Sequence, residues 1–248
     1  MDHPANPDFL ADITAALDWW REAGVDCDFE DDPRTWLAQP EVPTGAAEGR
    51  ARQASPAKVE SPPADRLDPA ALPADLAAFR DWWQKDPLLD NGDTGGRIPP
   101  QGTPGASLMI VVEEPEPDDR NCLLAGTQGR LLDAVLTAFG LTRETVYLAS
   151  VLPRHTPAAN WPELLEHGFG HVLAHHVALV APERLLVLGG NILPLLGHEL
   201  PQRAAVLRQF NREGRSIPVL ASRGLPALMQ MPRAKQALWK AWLEWTAA

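Results

Sequence analysis

Cysteine is nearly absent from this chain, and what little there is stands apart. Cys27 and Cys122 are the only two in 248 residues. Two lone thiols make neither a disulfide framework nor a cluster or zinc site, which fits a reducing compartment. Long apolar runs are missing as well: nothing reaches the roughly 18 residues of a membrane span. The opening MDHPANPDF lacks the basic flank and apolar stretch of a secretory leader, so a cytoplasmic location is expected. There is no Gly-x-Gly-x-x-Gly, no Gly-x-x-x-x-Gly-Lys-Ser/Thr and no Gly-x-Ser-x-Gly. Neither cysteine has a histidine nearby in sequence, so dinucleotide, P-loop and conventional nucleophilic hydrolase readings lose their support. Positive charge is also scarce. The net charge is −11, with 20 acidic against 9 basic side chains in residues 1–99 and 13 of each in residues 100–248. Phosphate contacts need clustered Lys and Arg, and only Arg203, Arg208, Arg212, Arg215, Arg223 and Arg233 qualify as a local basic face.

The 45% hydrophobic content is ample for one domain with a smaller appendage. Residues 1–38 form the appendage. Leu10, Ile13, Leu17 and Trp20 recur at helical spacing over 8–24, with Asp8 as N-cap and Gly24 as stop, and Trp36 can dock back. Residues 39–72 change to Pro, Ala, Glu, Ser and Gly without aromatic residues or periodicity, which predicts a disordered tether. Residues 73–248 form the main domain, opened by a helix over about 74–84. Its Asp81-Trp82-Trp83 echoes Asp18-Trp19-Trp20, too short a match to make a repeat.

Four apolar runs then follow: SLMIVV (107–112), TVYLASV (145–151), RLLVLG (184–189) and SIPVLA (216–221). Continuous β-branched and leucine-rich stretches of this length suit strands buried on both faces. The segments between them carry helical stripes: Leu131 to Phe139 ended by Gly140, Pro162 to Val180 as one long helix, and Ile192 to Leu196. A closing helix starts at Pro232, and its Trp239 and Trp242 at helical spacing suit docking better than base stacking. The expected fold is a three-layer α/β/α sandwich around a four-stranded parallel sheet, with a tethered N-terminal helix. In such sheets ligands lie beyond the carboxyl ends of the strands, which selects Glu113–Asp119, Ser150–Thr156, Gly189–Asn191 and Ser222–Pro226.

These segments resemble the uracil-DNA glycosylase superfamily, particularly its iron–sulfur-type bacterial branch. LMIVVEEPEPDD (108–119) stands where that family has a strand ending in Gly-Glu-Ala-Pro-Gly. CLLAGTQGRLLDAVLTAFGL (122–141) is similar to its Pro-Phe-Val-Gly-x-x-Gly-x-Leu-Leu segment, VYLASVLP (146–153) to Val-Tyr-Ile-Thr-Asn-Val, and PERLLVLGG (182–190) to Pro-x-x-Ile-x-x-Leu-Gly. SRGLPALMQMPRAKQALW (222–239) resembles the closing Thr-x-His-Pro-Ser-x-Leu-Leu motif. The resemblance implies a DNA N-glycosylase, a hydrolase that flips a base out of single-stranded or damaged DNA and cleaves its bond to the sugar. Carried over residue by residue, it makes Glu113 the catalytic acid that positions water. Val112, Pro115, Leu124, Ser150, Gly189, Arg223 and Gly224 become the substrate-binding positions.

Several positions depart from the pattern. Leu124 replaces the stacking phenylalanine, Ser150 the base-reading asparagine and Gly224 the histidine, while Val112 and Glu116 replace glycines and should stiffen and crowd the loop. The cluster cysteines are also missing, with Arg154 and the neighbourhood of Phe169 in their place, so no iron–sulfur cluster, metal or other cofactor is expected. Losing one anion-stabilising donor costs about 2.7–4 kcal/mol and one stacking partner about 1–3. With the missing edge reader the deficit is on the order of 5–8 kcal/mol, or roughly four to six decades in rate.

Arg223 and Ser150 are conceivable substitutes, or else a solvated arginine and a self-satisfied hydroxyl. Glu113 is either the site acid or one member of an acidic loop with Glu114, Glu116, Asp118 and Asp119, which would repel phosphates. Glu163, His167, His171 and His175 recur every fourth residue, but three such histidines cannot reach one ion. Gly189-Gly190-Asn191 could cradle a phosphate. The rival to an enzyme is a noncatalytic module that takes nucleic acid or a protein, docking a partner through the N-terminal helix with Trp19 and Trp20. The glycosylase expectation requires the tips after the first, second and fourth runs to converge on one cavity.

Overall fold

The computed structural model describes residues 9–22, 67–90, 92–212 and 214–247. The chain divides into two units, residues 1–57 and 58–248. In the first unit the described part is a single helix, α1 (Phe9–Glu22), on which Ile13, Leu17 and Trp19 are exposed. The expected caps at Asp8 and Gly24, the docking of Trp36 and most of the 39–72 tether lie outside the described residues.

The second unit runs α2 (Leu76–Lys85), β1 (Leu108–Val112), α3 (Thr127–Ala138), β2 (Tyr147–Ser150), α4 (Trp161–His167), α5 (Phe169–Val180), β3 (Arg184–Leu188), α6 (Ile192–Leu195), β4 (Ala205–Arg212), β5 (Arg215–Ser222), α7 (Leu225–Gln230) and α8 (Pro232–Thr246). Among the described residues no helix is long and apolar enough to cross a membrane.

All four apolar runs are strands, and their continuous hydrophobicity has the reason expected of it. Successive side chains of a strand point to opposite faces, and here both faces are covered. Met109 and Val111 of β1, Tyr147 and Ala149 of β2, Leu185 and Val187 of β3, and Val219 and Ala221 of β5 join one core with α2, α5 and α6. Leu108, Ile110, Val112, Leu148, Leu186, Leu188 and Leu220 join a second core with α3, α7 and α8. Helices on both sides of one sheet make the layered α/β/α arrangement.

The sheet has five strands, not four, in the order β2-β1-β3-β5-β4. β2, β1, β3 and β5 are parallel; β4 is an antiparallel edge strand in a hairpin with β5. Sequence reasoning passed over β4 because AVLRQFNR contains no apolar run. An edge strand has one neighbour, so Arg208, Gln209 and Asn211 are left to solvent while Phe210 alone is buried. Exposed charge on an edge is a common protection against strand-to-strand association. Gly214, at φ +78°, supplies the left-handed residue of the hairpin turn.

The expected long helix over 162–180 is two helices. Gly168 between α4 and α5 has φ +106°, and a Cβ there would lie 3.0 Å from the carbonyl oxygen of Leu67. The Leu67 amide donates to the carbonyl of His167 (3.0 Å), satisfying the end of α4, and its side chain is buried. The chain is therefore docked five residues before the expected end of the tether at residue 72. At the closing end Trp242 is buried and stacks on Phe139 at 3.8 Å, with Trp239 more exposed at 5.9 Å from the same ring.

Strand order positions the site. After β1 the chain builds β2 on one side, and then crosses to place β3 on the other side of β1. The carboxyl ends of β1 and β3 thus flank the point where the winding reverses, the place where an open α/β sheet leaves a crevice.

Candidate active site

Glu113 directly follows β1 at that reversal. Its half-buried carboxyl group sits in a slot made by the tips of β3 and β5. Gly189, at φ +148°, ends β3; a Cβ there would lie 2.4 Å from the Glu113 Cγ, so only glycine leaves the slot open. Gly224, after β5, faces the other carboxylate oxygen: a Cβ on it would be 3.6 Å from Oε2 and 3.8 Å from the Gly189 Cα. Asn191 closes the arrangement. Its backbone N–H (3.2 Å) and its side-chain amide (3.0 Å) both donate to Glu113 Oε1. One oxygen is committed and the other faces the position without a side chain.

The charge state of Glu113 follows from these contacts. Burial is the largest influence and raises its pKa above the ordinary glutamate value; the two Asn191 bonds oppose this, and neighbouring Glu114 adds to it. A carboxylate with a raised pKa is a stronger base than an exposed one.

The rest of the acidic loop has a different role. Glu116 turns its carboxylate onto the start of α3, accepting from the amides of Gly126 (2.9 Å), Gln128 (2.8 Å) and Gly129 (3.2 Å). Asp119 accepts from the amides of Glu116, Leu124 and Ala125 at 2.7–2.8 Å. Negative carboxylates at a helix N-terminus offset its dipole and satisfy amides without helical partners. Of the two alternatives for this loop, a solvated acidic cluster does not describe Glu116 and Asp119, which are buried hydrogen-bond acceptors that tie Glu113's loop to α3. Glu114 accepts from the Thr156 amide, and its Oε2 lies 3.2 Å from His155 Nδ1.

The tips that meet at the carboxyl group are those of β1, β3 and β5. The tip of β2, expected to be a third partner, reaches Glu113 through the backbone, where the Leu152 amide donates to the Glu113 carbonyl (3.0 Å). Ser150 is buried and its hydroxyl donates to the Leu152 carbonyl (2.7 Å), so it is satisfied within its own turn. Val112 pairs with Ser150 in the sheet, and Pro115 is buried. Leu124 is 1% exposed in the second core at φ +57°, and Gly129 is a glycine because a Cβ there would strike the Leu124 carbonyl. A core leucine presents no face for base stacking. Arg223 is exposed; its amide donates to Ala204, and among the described residues its guanidinium has no partner. Sequence reasoning missed Asn191 as a ligand of Glu113. Its signal was the Gly-Gly-Asn directly after β3, which had been weighed only as a phosphate cradle.

Among the described residues no group of three or more His, Cys, Asp and Glu side chains could hold a metal. In the histidine ladder, His175 bonds the Pro73 carbonyl (2.7 Å), His167 the Leu88 carbonyl (3.2 Å), and His171 is exposed. His176 is buried against the Tyr147 hydroxyl at 2.9 Å, and burial first, then Arg80 and His175, lower its pKa to about 3. Arg154, at a position the resemblance assigns to a cluster cysteine, ion-pairs with Asp93 and Asp90, and Asp90 also holds buried Arg97 (3.0 Å). Phe169 is buried in the first core.

Comparison with known protein families finds a match over residues 99–246 to the model described as the uracil DNA glycosylase superfamily. The match spans every element from β1 to α8, and with them Glu113, Gly189, Asn191 and Gly224.

Proposed function

Because the chain belongs to the uracil DNA glycosylase superfamily, we propose that it hydrolyses the N-glycosidic bond of a damaged base extruded from DNA, with Glu113 orienting the attacking water. The observation that carries this reading is the Glu113 slot. Three strand tips meet at one carboxyl group, at the point of the sheet where ligands bind; Gly189 leaves room for the Glu113 side chain, and Gly224 presents no side chain to its Oε2. Asn191 fixes Oε1, which leaves Oε2 to take a proton from water as the sugar becomes cationic. A raised pKa suits that task, since proton transfer is most efficient when donor and acceptor are matched.

Glu113 is the catalytic residue in this reading. Gly189, Gly224 and Asn191 shape and orient it, and the substrate is a base in single-stranded or mismatched DNA, where extrusion costs least. A cytoplasmic location belongs with it. The empty histidine position at Gly224 and the buried Leu124 make excision of uracil slow compared with a site that has those groups.

The test uses oligonucleotides that contain uracil, hypoxanthine or xanthine, incubated with the full chain and then cleaved with alkali at abasic sites. Strand breaks that disappear in Glu113→Gln are the expected result. No Glu113-dependent break on any damaged substrate removes the enzymatic reading.

One set of observations favours a second reading, a noncatalytic interaction module on the same fold. Leu124 lies in the core, Ser150 is satisfied within its turn and Gly224 has no side chain. On this reading the protein binds single-stranded or damaged DNA without cutting it, or takes a protein partner through α1. Binding of an abasic-site oligonucleotide unaffected by Glu113→Gln, with no cleavage, would select it.

A further inference from the structure

Among the described residues the slot contains a carboxylate and no side-chain donor free for an anion, and that imbalance bears on which base can leave. Uracil departs with the electron pair of the broken bond and becomes an anion, so its excision depends on hydrogen-bond donors at its oxygens. The positions that would supply them do not: Gly224 has no side chain, and the Ser150 hydroxyl is engaged at Leu152. Asn191 directs both of its donors at Glu113. Glu114 neighbours Glu113 and lies 3.2 Å from His155, and among the described residues the exposed Arg223 side chain, next to Gly224, makes no bond to any of the three. The side chains fixed at this site assist positive charge and offer nothing to negative charge.

Resting on the glycosylase reading above, we infer that the substrate class of this site is a base that leaves neutral, a purine alkylated on a ring nitrogen and therefore cationic while still attached to the sugar. When the bond between C1′ and N9 breaks, its electron pair enters the ring and cancels the positive charge. No anion forms and no donor is required. The positive charge passes to the sugar, toward Glu113, where the carboxylate stabilises it. Water adds to C1′ and its proton moves through Glu113 to solvent. A cationic alkylpurine nucleotide and water become a neutral alkylpurine, an abasic sugar and a proton, with no further reactant. The missing histidine, a large loss for uracil, costs nothing for this leaving group.

The experiment incubates the full chain with DNA methylated by dimethyl sulfate and quantifies free 7-methylguanine and 3-methyladenine by chromatography, against an enzyme-free blank that measures spontaneous loss. Uracil-containing DNA is run in parallel. Release above the blank is expected, falling by about 100-fold or more in Glu113→Gln. Asn191→Leu, which removes the side-chain donor from Oε1 and leaves the backbone one, should also reduce it, and serves if Glu113→Gln fails to fold by circular dichroism. Gly224→His, placed where a Cβ has only van der Waals contact with Oε2, should raise uracil excision by about 100-fold and so shift the ratio of the two substrates toward uracil. Glu113-dependent excision of uracil without release of methylpurines overturns this inference and leaves the glycosylase reading intact. Release of neither substrate overturns this inference, and the glycosylase reading falls with it when hypoxanthine and xanthine also stay in place.

Discussion

Glu113 and Glu116 lie three residues apart in one loop, and their surroundings make them opposites. Glu116 is buried with both oxygens engaged by three amides at the start of α3, a place that welcomes negative charge. Glu113 is half-buried with one oxygen held by Asn191 and the other free, in a place that resists its charge. The first carboxylate stabilises the fold and has nothing left to give a substrate. The second sits at a cost to the fold and is available for chemistry. Where polar groups are left over after the backbone has been satisfied is a better guide to function than the number of acids in a loop.

The largest effect should come from breaking the structural side of this contrast. Glu116→Ala strands three amides, one of them buried, and should destabilise the second unit by about 3 kcal/mol in urea unfolding. A change below about 0.5 kcal/mol would mean that water replaces the carboxylate, and would erase the distinction from Glu113.

His176 tests the same principle with a base. Its folded pKa of about 3 lies well below the ordinary histidine value of about 6.5. Below that ordinary value the unfolded chain takes a proton that the folded one refuses. Stability should therefore fall as pH drops from 6.5 toward 3, with a slope approaching about 1.4 kcal/mol per pH unit from this group. Thermal unfolding of His176→Gln across that range should show a shallower slope than the parent protein.

The smallest effect, and the sharpest, is expected at Glu113. A carboxyl group with a raised folded pKa binds its proton more tightly in the folded state, so stability falls as pH rises from the ordinary glutamate value through the raised one. Glu113→Gln removes that loss. It should leave stability unchanged in acid and raise it at neutral pH by less than about 1 kcal/mol, while abolishing strand cleavage. A destabilised Glu113→Gln protein would place Glu113 with Glu116, among the structural acids.

The sheet was readable because burial on both faces writes unbroken apolar runs, and β1, β2, β3 and β5 all carry one. β4 was not readable, since an edge strand exposes half its residues and its arginines mask the pattern. The break at Gly168 was equally hidden. A helix tolerates glycine, and the backbone of Leu67, about one hundred residues earlier, packs against Gly168 where a Cβ would crowd its carbonyl. At the site, Glu113 could be named from its place after the first run. The roles of its neighbours could not: Glu116 looked like crowding and proved to be a helix cap, and Asn191 looked like part of a phosphate loop and proved to hold the acid.

The order of apolar runs and helical stripes, read along the chain, determined the α/β class, the strand ends and the acid at the first of them, because these follow from local periodicity and from what a twice-covered strand must contain. Tertiary structure decided which oxygen of Glu113 is free, which acids are engaged by amides and which side chains reach the slot. Those outcomes depend on distances between groups 3 to 13 residues apart across an irregular loop for Glu116 and Asp119, and 76 to 111 residues apart for Glu113, and no local rule of sequence carries a distance across such gaps.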